Sequence, residues 1–265
     1  MTQGFLLFAH DNEEIDYGVM ALWSARRISK WLDKPTSLIT DSNTISKLDA
    51  TFPLWRNSFD KIIEQSSAAT QTKRYVDRQL TFHNLDRISA YDLTPYDETI
   101  VIDTDVLIQS SQLNKLWNSN EDLLLCDNSK DIYRRRDPEF EYLHETSIKF
   151  YWATTFYFKK TEYSKMFFEY CKHVKENYTW NKQIYNLMAG PVRNDFVWSI
   201  SAHNIRHIDT IPWNIPYSPG SDKIVKLEDS SITLLTTEGL CRLKNYDLHI
   251  MNKFDLMEQI KKELV

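Results

Sequence analysis

The chain has 265 residues, 42% of them hydrophobic and 26% charged, and its formal net charge is -5. This composition provides a substantial core and excludes both a disordered chain and a strongly basic DNA coat protein, so any nucleic-acid contact must be local. No apolar run approaches the roughly 20 residues that span a bilayer. The chain has only five glycines and neither a GxGxxG nor a GxxxxGK[ST] motif, so the phosphates of a bound nucleotide would need a metal ion.

The first half of the chain alternates strand and helix signals. The N-terminal apolar run has no basic segment before it, which predicts a first strand rather than a signal peptide, and we expect a cytoplasmic protein. Strands are predicted at residues 5–9, 37–40, 59–63 and 99–103. Helices are predicted at residues 15–31 and 71–92. This alternation predicts an α/β fold with a mostly parallel central sheet flanked by helices.

The second half is less regular. Predicted elements are a strand at 123–126, a charged loop at 127–137, an aromatic segment at 150–158, a helix at 161–176 and a hairpin-like pair at 232–235 and 241–243. Residues 204–222 contain three of the eight prolines and are expected to form a surface excursion. Cys126, Cys171 and Cys241 are widely spaced without a CxxC motif, which predicts core thiols rather than disulfides or a zinc site.

The sequence TIVIDTDVLI carries the strongest chemical signal. Asp103 and Asp105 directly follow a hydrophobic strand, and their spacing of two places both carboxylates on one side of its end. Ligands of open α/β sheets collect at the carboxyl ends of strands, and two adjacent carboxylates there favour a hard divalent cation such as Mg²⁺ or Mn²⁺. The alternative is a pair of aspartates that form a turn.

Residues 87–108 resemble the DxD region of GT-A-fold glycosyltransferases of the glycogenin and lipopolysaccharide galactosyltransferase kind. Residues 6–25 resemble the first strand and nucleotide loop of that family, and LHIMNK at 248–253 resembles its late histidine motif. The residues of the DxD region that match are Arg87, Tyr91, Leu93, Tyr96, Asp97, Ile100, Val101, Ile102, Asp103 and Asp105. The resemblance implies a Rossmann-like GT-A domain over residues 1–265, with a nucleotide-sugar-binding half (1–108) and an acceptor-binding and closing half (109–265).

The resemblance also implies roles for individual residues. It implies sugar transfer from a nucleoside diphosphate sugar, most commonly a UDP-sugar, with retention of anomeric configuration. The implied metal ligands are Asp103, Asp105 and His249, and the imidazole favours Mn²⁺ over Mg²⁺. The implied nucleotide-sugar contacts are Ala9, Asp11, Tyr17, Arg87, Asp103 and Lys253. Asp195, with Asp105, is assigned to catalysis because it would face the transferred sugar; an alternative role for Asp195 is a helix N-cap.

The acceptor is predicted from a difference between this sequence and the family's pattern and from a cluster of positively charged residues. Trp152 stands where the family has an asparagine, which indicates a remodelled acceptor pocket. Arg134, Arg135 and Arg136 form the densest basic cluster, which suits a phosphate backbone and an unstacked base. The aromatic, glycine-poor style resembles bacteriophage enzymes, so hydroxymethylated DNA is an expected acceptor, in the host cytoplasm if the chain is viral. The alternative for the three arginines is a solvated charged face.

Other functions stay open. A glycan, a lipid-linked sugar or a protein side chain could be the acceptor instead of DNA. Asp103-Thr-Asp105-Val also fits the DxDx[TV] motif of haloacid-dehalogenase phosphatases, in which Asp103 would be phosphorylated. That family, however, usually carries the motif on its first strand. A module that binds sugar nucleotide or DNA without turnover is the third alternative.

Overall fold

The structure is a computed structural model. It describes residues 1–66, 71–75, 78–82, 85–127, 129–133, 140–143, 147–187, 192–205 and 208–264. The strands are β1 (Gln3–Phe8), β2 (Thr36–Thr40), β3 (Lys61–Glu64), β4 (Gln71–Tyr75), β5 (Arg78–Phe82), β6 (Glu98–Ile102), β7 (Val106–Leu107), β8 (Leu123–Cys126), β9 (Trp152–Lys159), β10 (Asp209–Thr210), β11 (Tyr217–Ser218), β12 (Lys223–Leu227), β13 (Ser231–Thr236), β14 (Gly239–Lys244) and β15 (Leu248–Ile250). The α-helices are α1 (Tyr17–Leu32), α2 (Ser42–Thr51), α3 (Ala90–Leu93), α4 (Glu162–Glu176), α5 (Tyr178–Ile184), α6 (Asn194–Ile205) and α7 (Lys253–Leu264).

Seven strands form a central sheet in the order β10-β8-β9-β6-β1-β2-β3. Strands β6, β1, β2 and β3 pair in parallel, whereas β9 runs antiparallel to both of its neighbours. The prediction of an α/β fold with a mostly parallel central sheet is confirmed. Among the described residues, no helix has both the length and the apolar character needed to span a membrane.

Alternating side chains of the central strands fill two cores, one on each face of the sheet. In β1, Phe5 and Leu7 pack in the core that α1 and α7 cover, whereas Leu6 and Phe8 face the core that α4 and α6 cover. Every residue of β6 is buried. Because β6 lies in the middle of the sheet, the residues that follow it emerge at the centre of the carboxyl edge, where ligands of such sheets collect.

Two predictions about elements are wrong. Residues 71–92 do not form a helix: their described part contains the β4–β5 hairpin, a 3₁₀ turn at Leu85–Ser89 and the short helix α3. The segment is polar but lacks a repeating apolar face, so a helix there would bury little. Residues 204–222 are not a surface excursion either, because Ile211, Ile215 and Tyr217 are buried. Strand β12 and helix α7 were not predicted.

Gly4 gives a stability prediction. A Cβ atom at this position would lie 2.4 Å from the ring of Tyr96. That ring is buried and its hydroxyl lies 2.7 Å from Ser37 Oγ, so it has little room to move. We expect Gly4→Ala to lower the free energy of unfolding by about 1–3 kcal/mol through overpacking. Gly220→Ala is the control, because its Cβ would meet nothing nearer than 3.9 Å. Urea unfolding measures both, and equal stabilities would contradict the prediction.

Candidate active site

A tight turn at the end of β6 presents the two aspartates. The amide of Asp103 donates to the Thr154 carbonyl at 2.8 Å, which holds the turn to the neighbouring strand β9. The amide of Val106 donates to the Asp103 carbonyl at 3.1 Å and closes the turn. Asp103 and Asp105 are respectively 9% and 1% exposed. Two nearly buried carboxylates therefore lie at the centre of the carboxyl edge of the sheet.

A distant strand brings His249 to the same place. Strand β15 pairs antiparallel with β7, with His249 opposite Val106, and the Ile250 amide donates to the Asp105 carbonyl at 2.9 Å. This pairing sets the imidazole Nε2 3.2 Å from Asp105 Oδ2. The ring of Trp152 packs edge-on against the imidazole, with 5.2 Å between ring centroids. The histidine is thus held by backbone pairing on one side and by an aromatic ring on another.

Asp103, Asp105 and His249 together fit a divalent metal ion. Each offers one ligand atom, and these three atoms lie within 4.8 Å of one another. Ligands opposite each other around one Mg²⁺ ion are about 4.2 Å apart, so the three atoms need only small movements to share an ion. The Nδ1 atom of His249 is buried without a hydrogen-bond partner among the described residues. Two carboxylate oxygens and one imidazole nitrogen are a ligand set that could hold a divalent metal ion.

Two cations flank the acidic pair. Lys253 Nζ pairs with Asp105, and Arg87 Nη2 lies 2.5 Å from Asp103 Oδ1. Burial acts to raise the pKa of Asp105, but Lys253 and His249 together outweigh it and hold that pKa well below its usual range. Burial raises the pKa of Asp103 to about 6, although Arg87 opposes the shift. The site therefore combines negative charge for a cation with positive charge for an anionic ligand.

Asp195 lies across a small cavity from the acidic pair. It stands in the first turn of α6, and its carboxylate accepts a hydrogen bond from the Ala153 amide at 3.1 Å and pairs with Arg193 at 2.9 Å. These contacts reach outside α6, so the described contacts of its carboxylate do not support the alternative of an N-cap. Burial acts to raise the pKa of Asp195, but Arg193, the Ala153 amide and Arg87 together outweigh it and lower that pKa. The carboxylate is therefore charged at neutral pH.

The cavity between these groups has a volume of about 140 Å³. Its lining contains both acidic and basic side chains and two aromatic rings, those of Phe140 and Trp152. The lining residues are Arg87, Asp103, Phe140, Trp152, Thr154, Arg193, Asn194, Asp195, His249, Met251 and Lys253. Six of the expected site residues line this cavity, whereas Ala9, Asp11, Tyr17 and Asp105 do not. Trp152, the expected acceptor residue, is 4% exposed and packs against Phe140 and Tyr217.

Three of the expected nucleotide-sugar contacts, Ala9, Asp11 and Tyr17, lie in or beside the loop that follows β1. Tyr17 lies next to one residue of the cavity lining, because Lys253 Nζ lies 5.7 Å from the centre of its ring. Ala9 is buried, and its amide donates to the Ile39 carbonyl at 3.0 Å. The Asp11 carboxylate accepts from the Gly18 amide at 2.9 Å and pairs with Lys47 at 3.4 Å. Asp11 thus ties this loop to α1 and α2. Arg134, Arg135 and Arg136 lie outside the described residues.

Neither a protein-family model nor a curated protein matches the sequence, but 122 solved chains match the structure. A mutant of LgtC is 12% identical over 74% of this chain and 69% of that chain, with a TM-score of 0.49. LgtC, a galactosyltransferase, in complex with donor and acceptor sugar analogues is 12% identical over 73% and 68%, with a TM-score of 0.48. Mouse xyloside xylosyltransferase 1 is 9% identical over 80% and 85%, with a TM-score of 0.47. Sequence identities of 9–12% and TM-scores below 0.5 do not assign an activity to this chain.

Arg193 is a charged residue of the site that the sequence did not predict. Arg193 lines the cavity, pairs with Asp195 and packs over the ring of Phe196 at 4.8 Å. Its position two residues before Asp195, at a helix start, is a local signal that could have found it. Met251 also lines the cavity, and its place between His249 and Lys253 makes it a neighbour of both.

Proposed function

We propose that this chain is a metal-dependent glycosyltransferase of the GT-A type, which transfers a sugar from a nucleoside diphosphate sugar to an acceptor hydroxyl. The observation that carries the proposal is the cluster of Asp103, Asp105 and His249, whose ligand atoms lie within 4.8 Å of one another at the carboxyl edge of a parallel sheet. A diphosphate needs compensating positive charge, and this glycine-poor sequence has neither a GxGxxG nor a GxxxxGK[ST] motif to bind its phosphates. A divalent ion held by these three residues would supply that charge together with Arg87 and Lys253.

Lys253 and Arg87 would contact different parts of the donor sugar nucleotide. Lys253, which pairs with Asp105 and lies beside Tyr17, would contact the diphosphate. Arg87, which pairs with Asp103 and donates to the Ala153 carbonyl at 3.3 Å, would contact the sugar or its phosphate. A bound Mn²⁺ would act as a Lewis acid toward the phosphate oxygens. Lys253 and Arg87 would then stabilise the negative charge that develops on the departing diphosphate.

The reaction is a group transfer. The bond from the anomeric carbon to the phosphate oxygen breaks, and its electron pair leaves with the nucleoside diphosphate. A bond forms from the acceptor oxygen to the same carbon, and the hydroxyl proton goes to the departing phosphate. Asp195 would stabilise the positive charge that develops on the sugar ring. We further propose retention, a UDP-sugar and Mn²⁺, which the resemblance of residues 87–108 and 248–253 supports.

Hydroxymethylated DNA is the acceptor that we propose, together with a bacteriophage origin. Its support is the sequence itself, in which Arg134, Arg135 and Arg136 follow the aromatic residue Tyr133. The phosphatase alternative gains nothing from the structure, because β6 is not the first strand and Asp103 is paired with Arg87.

The proposal is tested by Mn²⁺-dependent release of nucleoside diphosphate from a panel of sugar nucleotides, with and without hydroxymethylated DNA. We expect slow hydrolysis of one donor without acceptor, and stimulation by the DNA. Stimulation by a glycan or lipid instead of DNA would reject the acceptor and keep the enzyme class. Failure of every donor to react, and to raise the melting temperature, would overturn the proposed class.

The role of His249 gives a prediction on metal choice. We expect His249→Asp to reduce the ratio of Mn²⁺ to Mg²⁺ affinity on the order of tenfold, because the change replaces an imidazole with a hard oxygen ligand. Titration calorimetry with each metal measures this without turnover. His203→Asp is the matched control, because this exposed histidine on α6 packs on Tyr185, away from the acidic pair. An unchanged ratio would remove His249 from the metal ligands.

A further inference from the structure

A small sheet near the C-terminus has one face in the core and one in solvent. Strands β12, β13 and β14 pair antiparallel in that order. Ile224, Ile232 and Leu234 point inward and are at most 6% exposed. On the outer face, Leu235 and Leu240 are 46% and 70% exposed. Exposed apolar side chains indicate a contact surface where they form a contiguous patch that polar residues border.

The register of the strands places these leucines side by side. Leu235 of β13 lies opposite Leu240 of β14 on one side and opposite Lys223 of β12 on the other. Val225, at the bulge of β12, adds a third apolar side chain that is 53% exposed. The apolar patch therefore lies at one end of the sheet, around the tip of the β13–β14 hairpin.

Positively charged side chains lie beside the patch and extend from it along the sheet. Four cations extend from the exposed positions of β12 and β14. These are Lys223, Lys226, Arg242 and Lys244. Glu228 pairs with Lys226 at 2.5 Å and with Arg242 at 2.8 Å, and Glu238 lies in the hairpin turn. Among the described residues, no ion pair involves Lys223 or Lys244. The outer face is thus net positive on a chain whose formal charge is -5.

We propose that this outer face, which we call the Lys-Leu face, docks the chain on the surface of an anionic lipid bilayer. Phosphate groups at a bilayer surface attract lysine and arginine, and the boundary below them accepts leucine side chains. A nucleic-acid backbone would attract the same cations, but it offers no apolar layer for Leu235, Leu240 and Val225. The combination of charge and exposed leucine therefore favours a membrane over a polyanion.

The Lys-Leu face begins close to the cavity of the candidate active site. Asn252 Nδ2 donates to the Asp222 carbonyl at 2.8 Å, and the Ile224 amide donates to Asp255 Oδ2 at 3.1 Å. These bonds tie the start of β12 to the segment that contains Met251 and Lys253, two residues of the cavity lining. Docking through this face would hold the cavity near the bilayer surface. The docking itself does not depend on the proposed activity.

Vesicle flotation with the full chain tests the proposal. We expect binding to phosphatidylcholine vesicles that contain phosphatidylglycerol, no binding to pure phosphatidylcholine, and weaker binding at high salt. Each lysine near an anionic surface strengthens binding about fivefold, so Lys223→Gln with Lys244→Gln should weaken it about 25-fold. Lys61→Gln with Lys165→Gln, two exposed lysines on β3 and α4, changes the net charge equally and should leave binding unchanged.

A second pair of variants separates the apolar contribution. Leu235→Ser with Leu240→Ser should weaken binding about tenfold, because two leucine side chains no longer leave water. Leu54→Ser is its control, because Leu54 is 72% exposed on another part of the chain. Melting curves establish that all variants fold. Equal binding by face and control variants would overturn the proposal, as would wild-type binding to duplex DNA but not to anionic vesicles. A chain that binds vesicles but shows no sugar transfer would contradict the proposed activity and leave the docking proposal standing.

Discussion

Asp105→Asn is expected to remove both Mn²⁺ binding and turnover. Asp105 is 1% exposed, accepts from His249 Nε2 and pairs with Lys253. Asparagine has nearly the same shape as aspartate but lacks the negative charge that would bind a divalent ion and that contacts His249 and Lys253. A bound Lewis acid contributes several kcal/mol to such a reaction, so turnover should fall on the order of a thousandfold. Calorimetric titration with Mn²⁺ and release of nucleoside diphosphate measure the two losses separately.

The control for this variant is Asp92→Asn. Asp92 is an exposed carboxylate on α3 that pairs with Lys172, and surface pairs contribute little to stability. Asp105→Asn also removes the negative charge that pairs with Lys253, and a lower melting temperature is expected because that ammonium group is mostly buried. If the variant does not fold, Asp103→Asn tests the same pair, since Asp103 keeps Arg87 beside it. Full activity in a folded variant would falsify the metal assignment.

Local signals predicted the half of the site that lies on one segment. The β-branched run before Asp103 predicts a buried strand, and the spacing of two predicts that both carboxylates emerge together, as they do. His249 could not be derived that way, because its contact with Asp105 joins residues 144 apart through the pairing of β7 with β15. Only the resemblance of residues 248–253 indicated it.

The error at residues 204–222 arose because tertiary contacts override composition. The prolines of residues 204–222 suggest a surface loop, but Tyr217 pairs in register with His249 and packs against Trp152. The segment is therefore part of the wall that holds the site. Trp152 itself was predicted from sequence as an acceptor contact, and the structure places its ring against the imidazole of His249. Long-range packing of this kind leaves no periodic pattern in the sequence.

Asp195→Asn is expected to separate catalysis from metal binding. The amide oxygen can still accept from the Ala153 amide, so the packing at the start of α6 should persist, but the charge opposite the acidic pair is lost. If Asp195 stabilises positive charge on the sugar, kcat should fall about 100-fold. Mn²⁺ affinity should stay unchanged, because Asp195 does not belong to the ligand cluster. Steady-state kinetics and Mn²⁺ titration on one preparation measure both.

Asp127→Asn is the matched control for Asp195→Asn. Its carboxylate is also largely shielded from solvent and paired with one cation, Lys149, but it does not line the cavity. We expect nearly wild-type kcat for this control. A fall in kcat for Asp195→Asn without a change in KM would place its effect in the transition state rather than in donor binding, since binding lost equally in both states raises KM alone. An unchanged kcat would instead leave Asp195 as a partner that only holds Arg193 and β9 in place.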